Sequence, residues 1–367
     1  MSDRSWADWD KRYLRQACRL AFKAAGRTSP NPMVGAVLTR GGKIIATGFH
    51  RRAGEDHAEI VALKRAGARA KGATLYINLE PCSHYGRTPP CARALIGAGI
   101  KQVVAGIEDP NPLVAGAGFR QLRRAGIRVR AGILEEECRR LNEAYVKYIT
   151  RRLPFVTLKL AVSLDGKIAA ATGDSRWISS EDSRRMVHQL RNQIDAVMVG
   201  VGTVIADNPQ LTCRISNGRN PWRVVLDSRL RTPLSAQLLR QADPEKTIIV
   251  TGAHSRRKKI NALEALGAQV WQVKLRRGRI PWAAVLKRLA AQGMVSAMIE
   301  GGATTAAWAL QEKIVDRILF FYAPMILGGD GRVMIDRLGV KRVREAIRVG
   351  DIQVRKSGGD TLVCGYL

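Results

Sequence analysis

Glu80-Pro81-Cys82-Ser83-His84-Tyr85-Gly86-Arg87-Thr88-Pro89-Pro90-Cys91 lies between an apolar run at 73–79 and a segment of helical periodicity that opens at Cys91. One thiol therefore follows a strand and the other begins a helix. Upstream, His57-Ala58-Glu59 opens another helical segment, reaching to about Arg69. Further back, 34–39 and 43–49 read as a hairpin across Gly41-Gly42, and 9–25 reads as an amphipathic helix with Leu14, Ala17, Cys18, Ala21 and Phe22 at helical spacing. Thr28-Ser29-Pro30-Asn31-Pro32 ends that helix. Downstream, the pattern alternates: strand 102–107, helix 116–125, strand 127–131, helix 135–149. Strands alternating with helices predict a sheet covered on both faces.

Arg151-Arg152-Leu153-Pro154 reads as a junction, because Pro154 stops the preceding helix. The expected division is 1–150 and 151–367. Beyond it, strands are expected at 155–162, 195–200, 222–227, 246–251, 268–273, 295–300 and 315–322. Helices are expected near 180–192, 255–266, 281–291 and 303–312, and 343–367 reads mainly as strands.

The 367 residues exceed what one core usually organises, and 46% hydrophobic with 25% charged residues is ordinary for a globular chain. No apolar stretch is long enough for a membrane span. The first ten residues lack the apolar core of a secretory signal, so a cytoplasmic location is expected. In a reducing compartment the six cysteines read as ligands or buried thiols rather than disulfides. The formal charge of +30 is unusual and raises nucleic acid as a partner. The excess is spread out, however: 26 basic and 13 acidic residues up to 150, 35 and 18 after it. The densest runs, Arg256-Arg257-Lys258-Lys259 and Arg276-Arg277-Gly278-Arg279, are short. A field of this kind also attracts a phosphorylated substrate and an anionic cofactor.

The histidine, the carboxylate and the two thiols suit the deamination of an aminopyrimidine. That reaction needs a strong nucleophile at neutral pH, and zinc provides one by lowering the pKa of bound water from 15.7 to about 7. His57, Cys82 and Cys91 make a three-ligand set that leaves a tetrahedral position open. Glu59, near the metal but not on it, is the expected proton shuttle. Zinc nucleobase deaminases carry H-x-E followed by P-C-x-x-C. Here eight residues separate Cys82 from Cys91, which departs from that generic spacing. Cys18, Cys138, Cys213 and Cys364 lack partners at ligand spacing and read as structural.

The longer spacing, with Asn31-Pro32-Met33-Val34-Gly35, His57-Ala58-Glu59 and Glu108-Asp109-Pro110-Asn111-Pro112, closely resembles the bifunctional riboflavin biosynthesis deaminase-reductases. The resemblance implies a cytidine-deaminase-like three-layer α/β/α domain followed by a dihydrofolate-reductase-like α/β domain. It also implies that Asn31 hydrogen-bonds the pyrimidine edge; by its place in the chain Asn31 could instead cap the turn between two prolines. His84 either lines the substrate pocket or orders its loop, and His50 and Asp56 read as braces of the helix.

The second half carries the same resemblance. Its pieces are Thr157-Leu158-Lys159 through Ser163-Leu164-Asp165-Gly166-Lys167, then Gly173-Asp174-Ser175-Arg176-Trp177, Val199-Gly200-Val201-Gly202-Thr203, Asp207-Asn208-Pro209-Gln210-Leu211-Thr212, Val225-Leu226-Asp227-Ser228 and Ile299-Glu300-Gly301-Gly302-Ala303-Thr304. Gly301-Gly302 stands between a strand and a helix, where glycines let backbone amides approach a pyrophosphate. The run is not G-x-G-x-x-G, so no Rossmann fingerprint is present. NADPH is the implied cofactor, against Ala161, Trp177, Thr203, Asp207, Ser228, Gly302, Ala303 and Thr304, with Trp177 either packing on the cofactor or anchoring a loop. Ser228-Arg229 either meets a 2′-phosphate or is an ordinary strand-end turn. The implied substrate residues are Ser175, Arg191, Leu211, Arg214 and Glu300. Lys159 either polarises the sugar oxygen or is a strand-end charge, and with Asp207 it is a catalytic candidate. A dimer or tetramer is implied as well. The competing reading, a deaminase of bases in nucleic acid with an accessory domain, has the charge in its favour and the Cys82–Cys91 spacing and second half against it.

Overall fold

The computed structural model describes residues 7–83, 90–112 and 114–367. The chain divides into two units, Met1–Leu153 and Pro154–Leu367.

In the first unit the order is α1 (Asp8–Phe22), β1 (Gly35–Arg40), β2 (Lys43–Phe49), α2 (Ala58–Ala66), β3 (Thr74–Leu79), α3 (Cys91–Gly97), β4 (Gln102–Ile107), α4 (Ala117–Arg124), β5 (Arg128–Ala131), α5 (Glu135–Leu141) and α6 (Glu143–Arg151). The sheet runs β2-β1-β3-β4-β5. β1 is antiparallel to both β2 and β3, while β3, β4 and β5 are parallel. Alternate side chains of the sheet feed two separate cores. Leu38, Leu75, Ile77 and Val103 pack with Ala58 and Ala62 of α2, Leu95 of α3 and Phe119 of α4. Val37, Tyr76, Leu79 and Val104 pack with Leu14 and Ala17 of α1, Cys138 of α5 and Tyr145 of α6. Burying each large apolar side chain contributes about 1.5–3 kcal/mol. The result is a three-layer α/β/α unit.

Two glycines set the layer spacing. A Cβ on Gly35 would lie 2.1 Å from the Ala17 carbonyl oxygen, and one on Gly48 would lie 2.3 Å from that of Ala58. Only hydrogen at these positions lets α1 and α2 lie this close to the hairpin. The second contact seats the start of α2, where His57 is the capping residue.

One expected element is divided. The single helix at 135–149 is α5 and α6, broken at Asn142. The buried Asn142 side chain accepts from Met33 N at 2.8 Å and donates to Met33 O at 2.9 Å. That link fixes a backbone conformation of φ −109°, outside the helical well.

The second unit comprises β6 (Phe155–Ser163), β7 (Lys167–Ala169), α7 (Glu181–Gln193), β8 (Ala196–Gly200), α8 (Val201–Asp207), β9 (Trp222–Leu226), β10 (Thr247–Gly252), α9 (Arg257–Ala265), β11 (Gln269–Val273), α10 (Trp282–Ala291), β12 (Ser296–Glu300), α11 (Ala303–Gln311), β13 (Arg317–Ala323), β14 (Arg332–Val333), β15 (Gly350–Ser357) and β16 (Asp360–Tyr366). Nine strands form one sheet in the order β11-β10-β9-β8-β12-β6-β13-β16-β15, and β7 and β14 pair separately. From β11 to β13 all neighbours are parallel; β16 and β15 add antiparallel strands at one edge. Parallel strands end together, so the loops after β8, β9 and β12 share one rim of the sheet. Rims of this kind hold ligands in open α/β sheets.

Candidate active sites

In the first unit, β3 runs out at Leu79 into Glu80-Pro81-Cys82. Cys91 is the first residue of α3 and is fully buried. His57, Cys82 and Cys91 offer ligand atoms all within 4.8 Å of one another. Nδ1 of His57 lies 3.6 Å from Cys82 Sγ and 3.3 Å from Cys91 Sγ. A tetrahedral zinc, with Zn–S about 2.3 Å and Zn–N about 2.0–2.1 Å, sets its nitrogen and sulfur ligands roughly 3.6 Å apart. The cluster thus has the chemistry and the spacing for the metal.

The electrostatics agree. The Cys82 thiol is held far below its ordinary value, to about 4, by hydrogen bonding with Cys91, despite its burial. His57 and the Cys91 backbone N–H, at 3.3 Å from the sulfur, act in the same direction. Cys91 moves upward, through its hydrogen bond to Cys82 and its own burial. Glu59 is 3% exposed. Burial first, and then the Cys82 charge, push its carboxyl up to about 7. A general acid and base works best with a pKa near the operating pH.

A cavity of about 440 Å³ opens beside the cluster, lined by His57, Glu59 and Cys82 on one side and by Asn31, Asp109, Asn111 and Arg152 among others. Asn31 is therefore brought to the cluster. His84 lies outside the described residues. His50, expected only to brace the helix, also lines the cavity, and its Nε2 stands 3.2 Å from Asn31 Nδ2. Tyr145 and Tyr148 are lining residues that the sequence reading did not single out. Their signal was the helical pattern of α6, which reads equally well as core. Glu80 accepts from the backbone N–H groups of Asp109, Gly116 and Phe119 at 3.0, 2.9 and 3.1 Å. It thereby ties the loop bearing Asp109 and Asn111 to the loop bearing Cys82.

In the second unit, a cavity of about 650 Å³ is lined by Lys159, Ala161, Ser175, Trp177, Arg191, Leu211, Arg214 and Glu300. A second, of about 640 Å³, is lined by Ser228, Ala303 and Thr304. Thr203, Asp207, Ser175, Ile168 and Gly302 line both, so the two cavities meet there. Ala161 and Trp177, expected against cofactor, line the first cavity only. The Trp177 ring carries the Arg184 guanidinium 4.6 Å above it.

Glu300, at the end of β12, accepts a two-pronged bond from Arg191 at 2.7 and 2.8 Å, and the pair is about 10% exposed. Burial drives the Glu300 carboxyl upward, but Arg191 and then Lys159 carry it below its ordinary value. Lys159 is lowered by burial, with Glu300 opposing.

The second cavity fits a dinucleotide. Gly301 and Gly302 adopt φ +83° and +82° just before α11. A Cβ on Gly302 would press on Thr203 Oγ1 at 3.2 Å. Gly302, Ala303 and Thr304 line the groove at the start of α11, and a helix N-terminus of this kind suits a pyrophosphate.

Comparison with known proteins decides the assignment. Residues 154–363 match the model of the RibD C-terminal domain, and residues 7–107 match that of the cytidine and deoxycytidylate deaminase zinc-binding region. Riboflavin biosynthesis protein RibD of Aquifex aeolicus is 45% identical over 355 residues, 96% of this chain and 97% of the relative. The chain belongs to the RibD family. The RibD of Escherichia coli K12 is 38% identical, covering 98% of this chain and 99% of its own. Among solved structures, Acinetobacter baumannii RibD superposes with a TM-score of 0.88 at 38% identity, covering 98% of both chains. A Thermotoga maritima diaminohydroxyphosphoribosylaminopyrimidine deaminase/5-amino-6-(5-phosphoribosylamino)uracil reductase does so at 0.86 and 36%, again over 98% of both. Like other RibD chains, this one is a bifunctional enzyme of riboflavin biosynthesis, with a zinc-binding deaminase unit and a reductase unit. Among the described residues no helix is long and apolar enough to cross a membrane.

Proposed function

We propose that the two units act in succession on one phosphorylated scaffold. The first removes the ring amino group of 2,5-diamino-6-ribosylamino-pyrimidinone 5′-phosphate. The second reduces the ribosyl group of the product to a ribityl chain with NADPH. The observation that carries this reading is the buried Glu59 beside a His/Cys/Cys cluster of zinc spacing.

His57, Cys82 and Cys91 would hold the zinc, which when bound would supply an activated water at neutral pH. Glu59, buried beside the cluster, would move protons to the ring nitrogen and to the departing ammonia. Its burial keeps bulk water from competing for the proton. Asn31 orients the pyrimidine. Nδ1 of His50 is 3.1 Å from the Asp56 carbonyl, so a neutral ring protonated there donates to Asp56 and accepts the Asn31 amide on Nε2. Asn31 Oδ1 is then left to accept from the substrate.

NADPH, when bound in the second groove, would supply the hydride. Ring opening of the ribosylamine leaves an imine whose carbon accepts hydride and whose nitrogen accepts a proton. Lys159, lowered by burial and facing Glu300, is placed to give up a proton. Asp207 lines both cavities, which supports a role for it where the substrate and cofactor meet. Arg191 and Glu300 orient the sugar, and Arg214 attracts the phosphate. A cytoplasmic homo-oligomer, dimer or tetramer, accompanies this reading through the family resemblance.

The test is incubation with the diaminopyrimidine ribosyl phosphate, zinc and NADPH, following ammonia and NADPH oxidation together. Glu59→Gln is expected to abolish ammonia release while zinc stays bound. It should still oxidise NADPH when given the deaminated substrate. Normal ammonia release by that variant removes Glu59 from the mechanism.

A further inference from the structure

Two thiols outside the zinc cluster meet in the first unit. Cys18 is in the second half of α1 and Cys138 is in the middle of α5. They are 120 residues apart in sequence, yet their sulfurs lie 3.6 Å from each other. Local spacing gives neither a partner; the packing of α1 beside α5 does. Both thiols are free.

The pair is framed on two sides. Cys138 is fully buried in the core that α1, α5 and α6 build on the sheet. A Cβ on Gly106 of β4 would lie 2.3 Å from the Cys138 sulfur, so that sulfur rests directly on the strand. On the outer side Arg15, about one turn before Cys18, donates to the Glu137 carboxylate at 3.3 Å from Nε and 3.1 Å from Nη2. Glu137 immediately precedes Cys138, so this ion pair joins α1 to α5 at the level of the sulfurs. A disulfide has an S–S bond of about 2.05 Å, which leaves about 1.5 Å for the two sulfurs to close. Small rotations of two side chains cover that gap without moving one helix past the other.

The two thiols are unequal. Cys18 is half-buried, whereas Cys138 has no exposure. The hydrogen bond with Cys138 lowers the Cys18 thiol, with burial opposing and Arg15 assisting. The same bond, and then burial, raise Cys138. A solvent-reached thiol that ionises more readily, backed by a second thiol, is the arrangement that oxidises onward to a disulfide. Disulfides of this kind in a reducing compartment are transient and follow the redox state.

We propose that Cys18 and Cys138 form a redox-sensitive dithiol, which hydrogen peroxide converts to a reversible disulfide that clamps α1 to α5 in the deaminase unit. The Cys18 thiolate attacks one peroxide oxygen. The O–O bond breaks, the departing hydroxide takes a proton to become water, and Cys18 becomes a sulfenic acid. The Cys138 sulfur then attacks the Cys18 sulfur, and the hydroxyl leaves with the Cys138 proton as a second water. Two thiols lose two electrons and one peroxide gains them. A thiol reductant reverses the step by exchange and is itself oxidised to a disulfide.

The experiment treats the zinc-loaded full chain with stoichiometric hydrogen peroxide, alkylates the remaining thiols, maps the peptides without reduction and follows melting. The expected result is a Cys18–Cys138 cross-linked peptide with zinc content unchanged. The melting temperature of the first unit should rise by about 5 °C or more, because the link closes a long loop in the unfolded chain. Dithiothreitol should restore both thiols and the original melting. Cys18→Ala should fold, bind zinc and lose the peroxide-induced rise. Cys138→Ser should hold Cys18 as a sulfenic acid that dimedone captures; should that variant not fold, the peptide map of the parent protein decides. Release of zinc or oxidation of Cys82 and Cys91 with no Cys18–Cys138 peptide overturns the dithiol. A rise in melting that persists in Cys18→Ala assigns the effect to other thiols and overturns it too. A cross-link that forms without any rise overturns the clamp.

Discussion

Glu300 and Arg191 illustrate how much a single buried pair carries. Each is about nine-tenths buried, and together they lie in the cavity that also holds Lys159. Removing one partner of such a pair leaves the other charge without compensation, at a cost of about 3 kcal/mol. Glu300 has a lowered carboxyl pKa in the folded state, through Arg191 and Lys159 acting against burial. A depressed carboxylate contributes its full stability above its unfolded value of about 4.3 and loses it as pH falls through the lower folded value. Glu300→Gln is therefore expected to destabilise the second unit by about 2–3 kcal/mol at neutral pH, with the gap to the parent narrowing below about pH 4. Urea unfolding of both proteins at the two pH values measures this. A gap of the same size at both would show that the charge of Glu300 contributes nothing.

At the level of elements, the break between α5 and α6 is the informative case. The sequence from 135 to 149 keeps helical periodicity, and a local reading joins it into one helix. Asn142 interrupts it because its side chain pairs with the backbone of Met33, distant in sequence and next to the segment that carries Asn31. α6 then presents Tyr145 and Tyr148 to the deaminase cavity. Asn142→Ala leaves the Met33 N–H without this acceptor, which costs about 1–3 kcal/mol. It is expected to lower the melting temperature of the first unit and to raise KM for deamination while NADPH oxidation on the deaminated substrate is unchanged. Unaltered melting and KM would show that the link neither braces nor positions the loop. The helices opening at Cys91 and Ala303, by contrast, were legible without coordinates, because thiol, proline and glycine punctuation marks them locally.

For the whole molecule, the charge of +30 is divided as +13 up to residue 150 and +17 beyond it. A charge spread in this way raises the concentration of anionic ligands near the surface without forming a continuous track for a polyanion. The chain is accordingly expected to show no retention on RNA at about 150 mM salt. Tight binding there, falling steeply as salt rises, would instead support action on nucleic acid. The sequence by itself determined which atoms the proposed deaminase chemistry uses: imidazole, thiolates and carboxylate are irreplaceable in kind, and their spacing ties them to strand ends and helix starts. It also marked the glycine pair that opens the cofactor groove, since few residues tolerate that backbone. Only the tertiary structure decided which of the sixty-one basic residues line a cavity. Arg231 rather than Arg229 reaches the groove, and Arg279 joins it from a turn nearly fifty residues away. An arginine on a loop has no local pattern to betray its direction; where it points depends on how that loop packs against the rest of the sheet.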